Sequence, residues 1–210
     1  MGKGTKLVFW LLGGSCAGKT TQHRLLIDAI SSLKGGELIQ GQEAHTYMYT
    51  KFDNVATIGK LGENQCSGID SVYGKLGADG VALSLKKALE DEDVNFIIVE
   101  CLFSTMKWLE RWEKIGIRGK MKLIVVHLSF PLWENFKRLC QRRAKKIGKK
   151  EWWEMEIENN TFLRVGSKNK ENETIYVKLD GRVDARIQVN ATLSQEEVHQ
   201  KILEFITENI

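Results

Sequence analysis

The stretch Gly13-Gly14-Ser15-Cys16-Ala17-Gly18-Lys19-Thr20 fits G-x-x-x-x-G-K-[ST], the pattern of a phosphate-binding loop. Glycines let the backbone curl so that successive N–H groups converge on an anion. In that reading Gly13, Gly14, Ser15, Cys16, Ala17 and Gly18 wrap the phosphates, and Thr21 extends the loop into a helix. Lys19 reaches the β- and γ-phosphates, and the Thr20 hydroxyl holds Mg²⁺. The pattern is short, so its flanks decide. Before it runs Lys6-Leu7-Val8-Phe9-Trp10-Leu11-Leu12, a continuous apolar run of the buried parallel-strand type. After it, Leu26, Ile30 and Leu33 fall on one face of a helix over 21–33. Strand, glycine loop and helix is the required order. The bland alternative is a Gly-rich turn with Lys19 merely solvated.

The chain has 210 residues, 42% hydrophobic and 28% charged, which suits one α/β domain with an ample core. The formal charge of +4 suits a polyanionic partner without demanding one. The four cysteines, Cys16, Cys66, Cys101 and Cys140, form no C-x-x-C pair. That argues against a zinc site or a disulfide framework and for a reducing cytoplasm. The first apolar run is too short for a membrane span and leads into a glycine loop, so no signal peptide is expected.

Along the chain, 37–42 reads as a polar connection, and 45–52 and 55–58 as two strands of a hairpin turning at Asp53-Asn54. From 57 to 80 six glycines interrupt any helical rhythm, which predicts a long functional loop carrying Asp70. A helix follows over 81–89, a buried strand over 94–100 ending in Glu100, a helix over 104–115 and a buried strand over 121–130. Pro131 opens the next helix, as proline does at a first turn. The segment 159–172 reads as polar loop, 174–179 as a strand and 185–191 as a last strand or extended piece. Ser194-x-x-Glu197 is a capping box that opens the final helix. Alternating strands and helices predict a three-layer α/β/α fold with a parallel sheet.

Ligands in such sheets sit at the carboxyl ends of strands, which places Glu100 near the glycine loop, as a metal-side acid or a base. Asp70 suits a proton acceptor from a substrate hydroxyl or, equally, an Asx-turn. Residues 132–150 are strongly basic, and Arg138 and Arg142 share a helix face. Arginines there suit closure over a transferring phosphoryl group, whereas Lys145, Lys146, Lys149 and Lys150 suit a nucleic-acid backbone. Trp152 and Trp153 either stack on bases or pack. No histidine is given a role, and His127 reads as a core residue. No N-K-x-D or D-x-x-G motif is present, which argues against a GTPase switch.

Gly13–Thr20, Glu100 after its strand and the arginines after Pro131 resemble the P-loop nucleotide and nucleoside kinases, the thymidylate-kinase-like branch in particular. The resemblance implies one domain over 1–210 using ATP and Mg²⁺, with 132–172 as an Arg-rich lid over ATP and Asn190–Thr192 near adenine. It puts Arg138, Arg142 and Arg143 in that lid; with the residue readings above, the candidate catalytic residues are Lys19, Asp70, Glu100, Arg138 and Arg142, with ATP contacts from Arg138 and metal contacts from Thr20 and Glu100. No Asp-Arg-Tyr-type motif is present. Ile58-Gly59-Lys60, Cys66-Ser67-Gly68-Ile69-Asp70-Ser71 and Ile98-Val99-Glu100 look like bacteriophage kinases that phosphorylate 5-hydroxymethyluracil within DNA. That narrower resemblance implies a DNA acceptor and a host-cytoplasmic setting. The alternative is a soluble nucleoside or nucleoside monophosphate kinase.

Overall fold

In the computed structural model, which describes residues 5–31, 36–41, 47–61, 68–100, 106–154 and 160–209, the glycine loop follows the middle one of five parallel strands in a mixed seven-stranded sheet. The strands are β1 (Lys6–Gly13), β2 (Glu37–Gln40), β3 (Met48–Phe52), β4 (Val55–Ile58), β5 (Phe96–Glu100), β6 (Met121–Ser129) and β7 (Ala185–Asn190). Their spatial order is β2-β3-β4-β5-β1-β6-β7. From β4 to β7 every pairing is parallel, so four carboxyl ends line up beside the loop. The β3–β4 hairpin adds an antiparallel margin, so the sheet is not parallel throughout.

The helices are α1 (Lys19–Ile30), α2 (Ile69–Glu90), α3 (Met106–Lys114), α4 (Leu132–Lys146), α5 (Thr161–Lys178) and α6 (Gln195–Asn209). Strand alternation sorts them into two layers. Val8, Trp10 and Leu12 of β1 pack with buried residues of α2, α3 and α5. Leu7, Phe9 and Leu11 pack with α1 and α6. This is the expected α/β/α arrangement. A third, smaller cluster joins Phe136, Leu139 and Cys140 of α4 to Val165 of α5. None of the helices among the described residues is long and apolar enough to cross a membrane.

Three expectations from the sequence are corrected. Residues 37–40 form the edge strand β2, whose Leu38 and Ile39 pair with Thr50 and Tyr49 of β3. An edge strand with one covered face carries little alternation of its own. The stretch after Gly68 is helix rather than loop: α2 runs from Ile69 and contains the expected 81–89 helix as its second half, beyond a break at Gly77 with φ 64° and ψ −165°. Burial of Ile69, Val72, Val81 and Leu85 outweighs the propensity cost of its glycines, about 1 kcal/mol each.

The third correction is α5, which replaces both the polar loop over 159–172 and the strand over 174–179. A strand would bury Ile175, Val177 and Leu179 together. Instead Ile175 and Leu179 are buried and Val177 is 61% exposed, a four-residue spacing that only a helix gives. Residues 45–46, 66–67 and 104–105 lie outside the described residues. The capping box is present: Ser194 Oγ accepts from the Glu197 backbone N–H at 3.2 Å, and the Glu197 carboxylate accepts the Ser194 N–H at 2.9 Å.

Candidate active site

β1 delivers the chain to Gly13 at the carboxyl edge of the sheet, and α1 leaves from Lys19, so the loop lies at the amino end of a twelve-residue helix. The amino terminus of a helix attracts anions through its unpaired N–H groups and its dipole. The tight path puts Cys16 at φ 66° and Gly18, the N-cap, at φ 90°. Lys19 is 6% exposed and folds back over the loop, its Nζ donating to the carbonyls of Gly13 at 2.7 Å and Gly14 at 2.9 Å. Thr21 stands exposed in the same first turn.

β5 pairs in register with β1, Glu100 opposite Leu11, which sets Glu100 at the carboxyl end beside α1. The Thr20 hydroxyl donates to Glu100 Oε1 at 2.6 Å. The other carboxylate oxygen lies 2.9 Å from His23 Nδ1. Burial alone would push the Glu100 carboxyl upward. The His23 and Thr20 hydrogen bonds, with the positive charge of Lys19, outweigh it and hold the group below its ordinary value. A hydroxyl and a carboxylate oxygen in contact form a hard-oxygen pair of the kind Mg²⁺ prefers. Among the described residues no group of three or more His, Cys, Asp or Glu side chains forms a metal cage, so an ion here would complete its shell with phosphate and water oxygens.

Asp70 sits in the first turn of α2 and is half-buried. Two residues earlier Gly68, at φ 67°, packs its α-carbon so closely on the Glu100 carbonyl that a β-carbon would collide with it. The amino end of α2 therefore abuts the carboxyl end of β5. Ser71 Oγ donates to the Gly68 carbonyl at 2.7 Å and accepts from the Lys60 N–H at 2.8 Å, fixing this turn to the chain just past the β3–β4 hairpin.

Arg138 and Arg142 lie four residues apart on α4, as expected, but the arginines of this helix make different contacts. Arg142 Nη2 donates to Ser15 Oγ at 3.3 Å and so reaches the loop. Arg138 stacks over the Phe130 ring, 4.3 Å from its centroid. Arg143 donates to Thr161 Oγ1 at 3.5 Å, tying α4 to α5. The α4–α5 unit is nonetheless seated on the loop, because Cys16 packs against the small cluster of Phe136, Leu139, Cys140 and Val165.

Sequence reasoning missed several contributors. His23, fully buried, follows Thr20 by three residues, so both fall on one side of α1. That spacing was the available signal. Asn135 and Asn169 were not legible, because their helices meet only in the fold. Asn135 Nδ2 donates to Asn169 Oδ1 at 2.8 Å, Asn169 Nδ2 donates to the Phe130 carbonyl at 3.2 Å, and both amides press on Gly14, where any β-carbon would clash.

A cavity of about 350 Å³ opens beside Gly14, walled by Phe130, Asn169, Glu173 and Asn190, with His127 of β6 at its base. This lies within the range of small-molecule sites. Burial holds the His127 imidazole below its ordinary value despite Glu173 at 3.7 Å. Asn190, expected near adenine, thus shares a cavity with the loop.

No protein-family model matches the chain, and neither does any curated protein. Solved structures do. A fungal RNA kinase matches over 98% of this chain and 87% of its own, at 14% identity and a TM-score of 0.54. Deoxyadenosine kinase from M. mycoides matches over 96% of this chain and all of its own, at 14% identity and TM-score 0.45 with dCTP bound, and at 13% and 0.48 with dATP bound. The chain has an α/β fold similar to that of the fungal RNA kinase, with a glycine loop, a buried lysine and a strand-end glutamate assembled at the carboxyl edge of its sheet.

Proposed function

We propose that this protein is an ATP-dependent phosphotransferase acting on a nucleic-acid or nucleotide acceptor, and that its acceptor is the hydroxymethyl group of 5-hydroxymethyluracil in DNA. The observation that carries the transferase reading is the convergence of Lys19, Thr20 and Glu100 on one side of the loop. In this reading the loop N–H groups bind the triphosphate, and the cavity beside Gly14 takes its nucleoside. On binding, Lys19 exchanges the Gly13 and Gly14 carbonyls for phosphate oxygens. Arg142, already at Ser15, adds positive charge to the transferring group. Thr20 and Glu100 would hold a divalent metal, which when bound would supply charge neutralisation to the phosphates.

The acceptor oxygen forms a bond to the γ-phosphorus, the bond to the β–γ bridging oxygen breaks, and ADP leaves with that electron pair. The hydroxyl proton needs an acceptor. We assign that role to Asp70, half-buried in the first turn of α2, whose amino end abuts the strand end that carries Glu100. The DNA acceptor is supported by the motifs around Gly59 and Gly68 and by the basic segment after Pro131.

The test is transfer of labelled γ-phosphate to hydroxymethyluracil-containing DNA against free mononucleotides. Label on DNA supports the reading. Label on mononucleotides alone replaces it with a soluble nucleoside or nucleoside monophosphate kinase.

A further inference from the structure

The outer side of the α4–α5 unit carries a feature that phosphoryl transfer does not use. Trp133, Phe136, Trp152, Trp153 and Phe162 form one connected set of rings, with centroids 5.2–6.4 Å apart. Phe136 anchors the set in the core at 6% exposure. The outer members do not share that burial. Trp133 is 53% exposed, Trp153 64% and Phe162 38%, with Leu163 beside them at 68%. Contiguous exposed aromatic surface of this kind marks an interaction site.

Charge decides the partner. Between Leu132 and Trp153 there are eight lysines and arginines against two glutamates. Lys145, Lys146, Lys149 and Lys150 are all exposed, and Lys137 follows Trp133 by one helical turn. A second copy docked symmetrically would set this positive field against itself. A strand with unpaired bases matches both halves of the surface, offering ring faces to the tryptophans and phosphates to the lysines.

We propose that this aromatic and basic face is a docking surface for single-stranded nucleic acid. It deepens the nucleic-acid acceptor reading and rests on it. The surface sits on the unit whose inner side touches the phosphate loop through Arg142 and Cys16, so a strand held there lies next to the site.

The test is fluorescence anisotropy of labelled oligo(dT), without ATP, against the full chain. Three proteins are compared: wild type, W133A/W153A and K145Q/K146Q. Tryptophan loss is expected to weaken binding tenfold or more with an unchanged salt slope. Lysine neutralisation is expected to flatten the slope of log affinity against log salt by about 1 to 1.5. Unchanged circular dichroism and ATP binding show that the variants are folded. Wild-type affinity in the tryptophan variant overturns the proposal. So does binding of wild type to anionic vesicles or to itself in sedimentation, with none to oligo(dT). If W133A/W153A also phosphorylates hydroxymethyluracil DNA with unchanged KM, the surface is refuted while the transferase reading stands. If only free mononucleotides are labelled and oligo(dT) is not bound, the surface and the DNA acceptor both fall.

Discussion

His23 Nδ1 and Glu100 Oε2 lie 2.9 Å apart in the core, one from the helix after the glycine loop and the other from the neighbouring strand. The pair is 77 residues apart in sequence. It leaves Glu100 Oε1 to meet Thr20 and so fixes the geometry of the acid beside the glycine loop.

Removing His23 strands a buried carboxylate oxygen. His23→Ala is expected to destabilise the fold by about 3 kcal/mol, the scale of leaving a buried charged acceptor without its hydrogen-bond partner. Urea denaturation at neutral pH reads this out, and a midpoint equal to wild type would contradict the pairing.

The same pair predicts an acid limb. The Glu100 carboxyl is held below its ordinary 4.5 in the folded state. Its contribution to stability is therefore fully present above 4.5 and lost as pH falls through the folded value. Glu100→Gln removes that titration, so stability of the variant should fall less steeply than wild type below pH 4.5 and run parallel above it. A series of urea midpoints across pH 2.5–7, as an order-of-magnitude window around that value, compares the two.

Lys19→Ala is expected to lower phosphoryl transfer at least about a hundredfold, through lost charge on the phosphates, while circular dichroism stays native. Appreciable turnover in this variant would remove the loop from the mechanism.

Asp70→Asn is expected to lower kcat by roughly a hundredfold or more with KM for ATP little changed, as suits a lost proton acceptor. Glu100→Gln should reduce kcat similarly and also raise the Mg²⁺ concentration needed for half-maximal rate. A shift in metal demand in the Asp70 variant, with none in the Glu100 variant, would reverse the two assignments.

The helical state of 161–178 has its own test. Val177 is exposed on a helix, so Val177→Ala should raise stability by about a few tenths of a kcal/mol, since alanine has no side-chain rotamer freedom to lose there whereas valine does. A loss of stability would favour a strand.

What the sequence determined by itself is whatever rests on local order. The apolar run ending at Gly13, the glycines, Lys19 and Thr20 form a contiguous unit, and so do the Asp53-Asn54 turn, the Pro131 helix start and the Ser194–Glu197 box. Glu100 was legible because a buried strand must end at the ligand edge of such a sheet. The tertiary structure alone decided the rest. Helix α2 survives its glycines because its apolar side is buried. The β-branched Thr174–Val177 stretch is helical because Ile175 and Leu179 point into the core while Val177 does not. His23, Asn135 and Asn169 join the site through contacts between distant segments, whose energies depend on packing and burial that no local pattern encodes.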